Sequence, residues 1–391
     1  MEQRTVNRSR LYDADGTLYE FDAVVRSCTE ENGLYAVTLD CTAFFPGGGG
    51  QDCDTGTING IRTIRIAERG GEVLHLLREP LSVGSSVHGS LDREARIRKM
   101  QAHGGEHVLS GLLNSLYGAE NVGFRIGSGE LVTVDTSIPL SRTQLDTAEL
   151  EANRILTENR TIRVFFPTPE ELATLSYRSK LSLTEGVRIV EIDGVDRCAC
   201  CAPHFSSTAP IGLLKILDTL PWHGGTRLFL VCGLAALDDY RSRWQSIKEI
   251  SGALSAKQEQ VADAVHAALA REAEQKSTLF RLRRALRDAQ LAALGERETD
   301  GSLVLFDDLS DSEGLRDYAN RLAARCQGIG AAFCASSGGF TYAAASHFRN
   351  MKEEAPRIHA ALGGKGGGTP QMIFGTVTAA KQEIENYFKK S

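Results

Sequence analysis

Residues 92–113 read Asp92-Arg-Glu-Ala-Arg-Ile-Arg-Lys-Met-Gln-Ala-His-Gly-Gly-Glu-His-Val-Leu-Ser-Gly-Leu-Leu113 and decide how the chain is organised. Asp92 is a favourable helix N-cap, and apolar residues follow it at helical spacing. The stretch therefore predicts a helix that carries His103 and His107 four positions apart. On one helix face, two such imidazoles lie close enough to bind a single metal ion.

The residues before this helix have a different pattern. Segments 34–39 and 57–66 alternate apolar and polar residues, and clusters of Gly and Asp separate them. Short strands at this spacing are typical of a small barrel or sandwich. We predict a β-barrel domain over residues 1–90.

After this helix the chain is mixed. A helix over 144–159 and a strand over 187–192 indicate an α/β domain at 91–236. Residues 237–294 contain no Pro and only one Gly. This composition predicts a helical spacer at 237–297, which is either one long helix or a helical hairpin. A dimeric coiled coil is the alternative to a plain spacer. A strand at 303–306, a helix at 312–326 and strands at 331–334 and 340–345 predict an α/β domain at 298–391. The expected fold class is α+β and multidomain.

Composition narrows the class of protein. The chain has 391 residues and a formal net charge of −6, with 42% hydrophobic and 24% charged residues. This composition excludes intrinsic disorder, and no apolar run has the roughly 18 residues that a membrane span needs. Residues 1–5 lack the apolar segment of a signal peptide. We therefore expect a cytoplasmic protein without a membrane partner, in which clustered cysteines indicate metal or thiol chemistry.

A second motif complements the histidine pair. Cys200-Cys-Ala-Pro-His204 places a thiol and an imidazole four positions apart, about 95 residues after the first motif. Nitrogen and sulfur donors together favour zinc over Mg²⁺ or Ca²⁺. Glu106 lies within the first motif, and His-x-x-Glu-His is also the pattern of inverted zincins. A metallopeptidase with Glu106 as general base is therefore an alternative.

Two further stretches carry a family resemblance. Asp40-Cys-Thr-Ala-Phe-Phe-Pro-Gly-Gly-Gly-Gly-Gln-Asp-Cys-Asp-Thr-Gly56 resembles the signature of alanyl-tRNA editing domains, and the His and Cys motifs look like the paired zinc motifs of those domains. Ala361-Leu-Gly-Gly-Lys-Gly-Gly-Gly-Thr-Pro-Gln-Met372 resembles the Gly-rich motif of the DHHA1 domain. The chain as a whole resembles the large-form AlaX family of free-standing alanyl-tRNA editing proteins.

The resemblance implies a hydrolase that removes the amino acid from mischarged tRNA(Ala), chiefly Ser-tRNA(Ala), with Gly-tRNA(Ala) as a second candidate. It implies one zinc ion per chain held by His103, His107, Cys200 and His204, with a water replacing one ligand or a five-coordinate state during catalysis. Whether zinc activates water or positions the substrate stays open. The remaining residues implied by the motifs are Thr42 and Gln51 as catalytic residues, and Gly49, Gly50, Lys365 and Gly366 as substrate-binding residues.

The chain also departs from the family pattern. Some editing domains have a Ser where this chain has Gly48, so one polar contact to the substrate is missing. Many read Cys-Gly-Gly-x-His where this chain reads Cys-Cys-Ala-Pro-His, so Cys198 or Cys201 could replace Cys200 as a ligand.

The expected partner is mischarged tRNA(Ala), although the chain is acidic. Basic clusters could contact phosphates with a steep salt dependence, and the second Gly run could be a loop that cradles RNA backbone. A homodimer through the helical or C-terminal region stays open, as does a tRNA-binding protein without turnover. We expect no aminoacylation module before the barrel and therefore no activation of amino acids with ATP. The basic clusters are Arg93, Arg96, Arg98 and Lys99; Arg281, Arg283, Arg284 and Arg287; Lys365; and Lys389 with Lys390.

Overall fold

The computed structural model describes residues 9–179, 186–293 and 299–390. The chain divides into two compact units, Met1–Lys248 (unit 1) and Glu249–Ser391 (unit 2). The described residues form four β-sheets and several helices, so the fold is mixed α and β with more than one domain. The absence of a signal peptide at residues 1–5 and the domain boundary at residues 297 and 298 are predictions that lie outside the described residues.

A seven-stranded antiparallel sheet follows the short helix α1 (Leu11–Ala14). Residues 57–66 contribute to three strands, and Asn59 and Gly60, which both have positive φ, form the tight turn between the first two. The predicted strand at 34–39 is confirmed. The strands are β1 (Glu20–Glu31), β2 (Leu34–Leu39), β3 (Gly56–Ile58), β4 (Ile61–Arg62), β5 (Arg65–Arg69), β6 (Glu72–Leu77) and β7 (Ser86–Leu91), in the order β4-β3-β7-β1-β2-β6-β5.

Helix α2 (Arg93–Tyr117) is the central element of the rest of unit 1. Its start is confirmed, because the Asp92 side chain accepts a hydrogen bond from the Ala95 backbone N–H at 3.1 Å. Residues 100–113 of the helix are buried within the largest apolar core of this unit. The other elements are β8 (Asn121–Ile126), β9 (Val132–Thr136), α3 (Arg142–Glu158), β10 (Ile162–Phe165), α4 (Pro169–Thr174), β11 (Ile189–Ile192), β12 (Asp196–Ala199), β13 (Leu214–Trp222) and β14 (Gly225–Cys232).

These strands form two antiparallel sheets, in the orders β13-β14-β9-β8 and β10-β11-β12. The predicted helical spacer contains two helices, α5 (Leu234–Leu254) and α6 (Val261–Ala293). The first helix ends just before Ser255, which has a φ of 50°. Within the described ranges, no helix combines the length and the apolar character needed to cross a bilayer.

Unit 2 contains one sheet in the order β15-β16-β17-β19-β18, in which only the β15–β16 pair is parallel. The predicted strand at 303–306 is confirmed, and the helix predicted at 312–326 ends at Ala323. Its elements are β15 (Leu303–Phe306), α7 (Ser312–Ala323), β16 (Gly330–Ser336), β17 (Gly339–Ala345), α8 (Met351–Leu362), β18 (Gly364–Gly368), β19 (Met372–Val377) and α9 (Lys381–Lys390).

The second Gly run is a strand, and the prediction of a loop there is wrong. Residues 364–368 form β18, which pairs with β19. Gly366 pairs with Gly375, and a Cβ at Gly366 would lie 2.4 Å from the carbonyl oxygen of Phe374. The glycines therefore allow two backbones to approach closely.

A buried ion pair joins the first sheet region to helix α2. Arg96 is fully buried, and its guanidinium donates to Asp54 through Nε at 3.0 Å and again through Nη2. It also donates to the carbonyl oxygens of Gly16 at 2.8 Å and Ala43 at 2.6 Å. Asp54 in turn accepts from the Phe45 backbone N–H at 2.7 Å. The predicted phosphate contact of Arg96 is therefore wrong.

Removing this ion pair should destabilise unit 1. Arg96→Met leaves the Asp54 carboxylate buried without its cation, which costs about 3 to 5 kcal/mol in the free energy of unfolding. Urea unfolding followed by tryptophan fluorescence measures this, because both tryptophans, Trp222 and Trp244, lie in unit 1. Arg154→Met, at an exposed ion pair of α3, is the control and should leave the free energy of unfolding almost unchanged. Equal effects of the two variants would contradict this role of Arg96.

Candidate metal centre and cavity

Four side chains converge between helix α2 and the segment after β12. The donor atoms of His103, His107, Cys200 and His204 lie within 4.8 Å of one another. Cys200 Sγ is 3.5 Å from His103 Nε2 and 3.3 Å from His204 Nε2. Tetrahedral zinc with bonds of about 2.0 to 2.3 Å places its ligand atoms about 3.5 Å apart. The structure thus brings the four predicted ligands together in an arrangement that fits one metal ion.

A hydrogen bond at Nδ1 orients each of the two helix histidines. His103 Nδ1–H donates to Gln51 Oε1 at 3.0 Å, and His107 Nδ1–H donates to Asp196 Oδ2 at 3.0 Å. Because both partners accept, the Nε2 atoms face the other donor atoms. Such hydrogen bonds are the usual support of metal-binding histidines. The other amide atom, Gln51 Nε2, is buried and has no hydrogen-bond partner among the described residues.

The three clustered cysteines differ in their tendency to ionise. Burial opposes ionisation of Cys200, but His103 and His204 hold its pKa well below the usual value of a thiol. Burial raises the pKa of Cys198 and that of Cys201 to about 11. Because the thiolate is the form that binds a metal, Cys200 is the favoured ligand. Burial also lowers the pKa of His204 to about 4, which keeps its ring neutral as ligation requires.

Asp196 supports His107 and is itself held by Arg178. The Arg178 guanidinium donates to both Asp196 carboxylate oxygens at 2.7 Å. Burial opposes ionisation of Asp196, but hydrogen bonds from Arg178 and His107 lower its pKa to about 2. Strand β12 approaches α2 this closely because Gly111 has no side chain, since a Cβ there would lie 2.7 Å from Asp196 Cβ.

A cavity of about 990 Å³ lies beside the donor atoms. Its lining includes three of the four donor residues, three glycines of the first Gly run and Glu106, which is only 3% exposed. Glu106 accepts hydrogen bonds at 2.5 Å from the Ser110 hydroxyl and from the Asn121 amide. The lining also includes charged side chains, among them Arg10, Asp13, Glu120, Arg188, Asp196 and Arg197.

The first Gly run forms a tight turn at the cavity wall. Gly48 and Gln51 exchange two backbone hydrogen bonds of 2.9 and 3.1 Å. Gly50 has a φ of 87°, and a Cβ there would lie 2.6 Å from the Phe124 ring. Glycine is therefore needed for the turn and for packing against Phe124, which also contacts the His103 ring.

Thr42 lies apart from this cavity. It is 3% exposed and lines a separate cavity of about 170 Å³. His75 Nδ1–H donates to the Val37 carbonyl at 3.1 Å, so His75 Nε2 accepts the Thr42 hydroxyl proton at 2.9 Å. The Thr42 oxygen accepts from the Phe44 backbone N–H at 3.1 Å. The hydroxyl proton of Thr42 is therefore already committed to His75.

The predicted site residues thus separate into three groups. Gln51, Gly49 and Gly50 lie beside the four donor residues, Thr42 lies in the first sheet region, and Lys365 and Gly366 lie on β18 of unit 2. The sequence does not predict Arg178, Asp196 or Phe124 as parts of the site. The acidic residue four positions before Cys200 is the one signal that could have indicated a partner for a histidine.

Comparison with known proteins finds similarity to alanine–tRNA ligases and to alanyl-tRNA editing proteins. Residues 187–247 match the family described as threonyl and alanyl tRNA synthetase second additional domain. The alanine–tRNA ligase of Ignicoccus hospitalis is 32% identical over 80% of the chain and 36% of its own length. The alanyl-tRNA editing protein AlaX-L of Pyrococcus horikoshii is 33% identical over 53% of the chain and 54% of its own length. The chain therefore spans about half or less of these two relatives.

A third relative is similar over almost its whole length. The alanyl-tRNA editing protein Aarsd1 of Rattus norvegicus is 26% identical over 96% of the chain and 95% of its own length. The chain is thus similar to an alanyl-tRNA editing protein over nearly the whole length of both proteins. The family match at 187–247 includes Asp196, Cys200 and His204, so one of the two halves of the metal-binding group falls within it.

Metal binding should depend on Cys200 and not on its neighbour. Cys200→Ala removes the only one of the three clustered thiols whose pKa is lowered, so we expect bound zinc to fall from about one ion per chain to near zero. Cys201→Ala is the matched control, because Cys201 is exposed and belongs to neither metal-binding group of the described residues. Elemental analysis after dialysis against zinc measures both. Loss of zinc in the Cys201 variant alone would contradict the assignment.

The free energy of unfolding should decrease when the pH is lowered, and His75 should be one cause of the decrease. Burial lowers the pKa of His75 to about 4, so between pH 4 and 6.5 the unfolded chain binds more protons than the folded chain. Between pH 7 and pH 5 this group alone should cost about 2 kcal/mol in the free energy of unfolding.

Urea unfolding at the two pH values tests this effect of His75. The fall in stability should be smaller by that amount in His75→Gln. It should be unchanged in His88→Gln, where the side chain is exposed. An equal fall in the wild type and His75→Gln would refute the role of His75.

Proposed function

We propose that this protein hydrolyses the ester bond of mischarged tRNA(Ala), with Ser-tRNA(Ala) as the main substrate and Gly-tRNA(Ala) as a second one. The observation that carries the proposal is the group of four donor residues beside a large cavity. Relatives of this chain are named alanyl-tRNA editing proteins. A group that can hold a Lewis acid next to a cavity of this size suits hydrolysis of an ester on a nucleotide.

The proposed cofactor is one Zn²⁺ per chain, held by His103, His107, Cys200 and His204. The mixed nitrogen and sulfur donors favour zinc over Mg²⁺ or Ca²⁺. When bound, zinc polarises carbonyl groups and lowers the pKa of water. Asp196 and Gln51 keep the two helix histidines in the orientation that ligation requires.

Residues of the chain itself would bind the substrate. We propose that Gln51, whose buried Nε2 has no partner in the described part of the chain, donates to the carbonyl oxygen of the ester. Such a donor stabilises the negative charge that develops there during hydrolysis. The turn at Gly49 and Gly50 forms the adjoining wall. Thr42 lines a separate cavity and donates its proton to His75, so its role as a catalytic residue stays a prediction.

The remaining parts of the chain would serve tRNA binding. We propose a barrel domain at 1–90, an editing domain at 91–236, a helical spacer at 237–297 and a DHHA1 domain at 298–391. Lys365 and Gly366 lie on β18, at the edge of the unit 2 sheet, and would contact the tRNA backbone from there. A homodimer through the helical or C-terminal region and a cytoplasmic location complete the proposal.

The direct test is deacylation of Ser-, Gly- and Ala-tRNA(Ala) by zinc-loaded protein. We expect rapid release of serine, slower release of glycine and little release of alanine. Cys200→Ala should lower serine release at least about 100-fold, because it removes both a ligand and the metal. Cys201→Ala, the matched control, should stay within about threefold of the wild type.

Two other outcomes would reject the proposal. Intact Ser-tRNA(Ala) after incubation with protein that binds it would indicate a tRNA-binding protein without turnover. Cleavage of unstructured peptides, abolished by Glu106→Gln, would instead indicate a metallopeptidase.

A further inference from the structure

Glu106 is a buried carboxylate whose two oxygens have different surroundings. It lies on α2 between His103 and His107 and lines the large cavity. The Ser110 hydroxyl and the Asn121 amide both donate to Oε1, each at 2.5 Å. The Asn121 amide also donates to the Ser110 hydroxyl oxygen at 3.2 Å, so the three side chains hold one another in place.

Both partners of Glu106 are donors, so the carboxylate serves them as an acceptor-only anion. Among the described residues, none donates a hydrogen bond to Oε2 and none forms an ion pair with Glu106. A buried charge without a cation is costly, and such groups are usually compensated by a partner or a ligand. The free oxygen of Glu106 is therefore suited to a cationic ligand that enters the cavity.

The positive side chains of the cavity do not fill this role. Four arginines line it, and each forms an ion pair with another carboxylate. The pairs are Arg10 with Glu68, Arg178 with Asp196, Arg188 with Asp13, and Arg197 with Glu191. These arginines are therefore committed to other carboxylates, and a cationic ligand that enters the cavity can reach the free oxygen of Glu106.

An aminoacyl ester carries such a cation. Its α-ammonium group has three N–H donors and lies two bonds from the carbonyl carbon that is attacked. Glu106 precedes His107 on the same helix, so a carbonyl placed at the four donor residues would bring the ammonium close to this carboxylate.

We propose that Glu106 binds the α-ammonium of the aminoacyl ester and thereby selects esters with a free amino group. This assignment rests on the function proposed above. It makes Glu106 a specificity residue that admits aminoacyl-tRNA and rejects N-blocked forms such as formylated aminoacyl-tRNA or peptidyl-tRNA. A neutral acyl-amide nitrogen lacks both the charge and two of the three donors that Oε2 would accept.

The test compares two substrates with two variants in zinc-loaded protein. The substrates are Ser-tRNA(Ala) and N-acetyl-Ser-tRNA(Ala), and the variants are Glu106→Gln and Glu120→Gln. Glu120 is exposed and lines the same cavity, so its variant makes the same chemical change without touching the proposed contact. Glutamine keeps an acceptor for Ser110 and Asn121, which preserves the local structure.

We expect Glu106→Gln to lower kcat/KM for Ser-tRNA(Ala) by about 10- to 100-fold, as for loss of a charged hydrogen bond. The same variant should change kcat/KM for the N-acetylated substrate, which the wild type cleaves poorly, by less than about threefold. Glu120→Gln should leave both values near those of the wild type. Zinc content should be unchanged in both variants.

Other results would overturn the assignment in recognisable ways. An equal loss with both substrates would mean that Glu106 acts on the reaction itself, and loss of zinc would mean that it serves the metal centre. If the wild type cleaves neither ester, the proposed function fails. Calorimetric binding of 3′-seryl-amido-adenosine and its N-acetyl form then tests Glu106 separately. Tighter binding of the free amine in the wild type, lost in Glu106→Gln, would support the contact, and equal binding would reject it.

Discussion

The buried pair of Arg96 and Asp54 is the constraint on which the candidate site depends. Arg96 lies two helical turns before His103 on α2, and Asp54 lies three residues after Gln51. The pair therefore fixes the Gly-rich turn against the helix, and Gln51 can reach His103 Nδ1. A buried charge pair tolerates few alternative arrangements, because any displacement leaves a charge without its partner.

A second constraint acts from the other side of α2. Strand β12 brings Asp196 to His107, and Arg178 holds that carboxylate from a separate segment. The two helix histidines are thus oriented from opposite parts of the chain, one by an amide and the other by a carboxylate. Since each supporting residue is buried, the donor group is preorganised before any ion binds. The hydrogen bonds to Gln51 and Asp196 therefore help to hold the donor atoms of the four residues close together.

Local sequence patterns predicted several helices and strands correctly. The errors arose where contacts between residues far apart in the sequence decide the structure. The N-cap at Asp92 and the strand at 303–306 follow from local patterns, whereas the set of four metal ligands was implied by the family resemblance. Arg96 was misleading because a basic residue on a helix cannot be distinguished by sequence from one that turns inward to a carboxylate 42 residues away. The second Gly run failed as a loop because composition does not show that Gly366 opposes Gly375. Arg178 gave no local signal, since its role exists only once β12 packs on α2.

The separation of the donor residues along the chain has a thermodynamic consequence. His103 and Cys200 are 97 positions apart, so an ion held by both acts as a reversible cross-link between two distant segments. Binding energy at such a link is shared with folding, because the unfolded chain does not offer the assembled donors. Each tenfold rise in free ion concentration above the dissociation constant would then add about 1.4 kcal/mol to the stability of the region that holds the donors. The concentration of free metal would thus set the free energy of unfolding of that region.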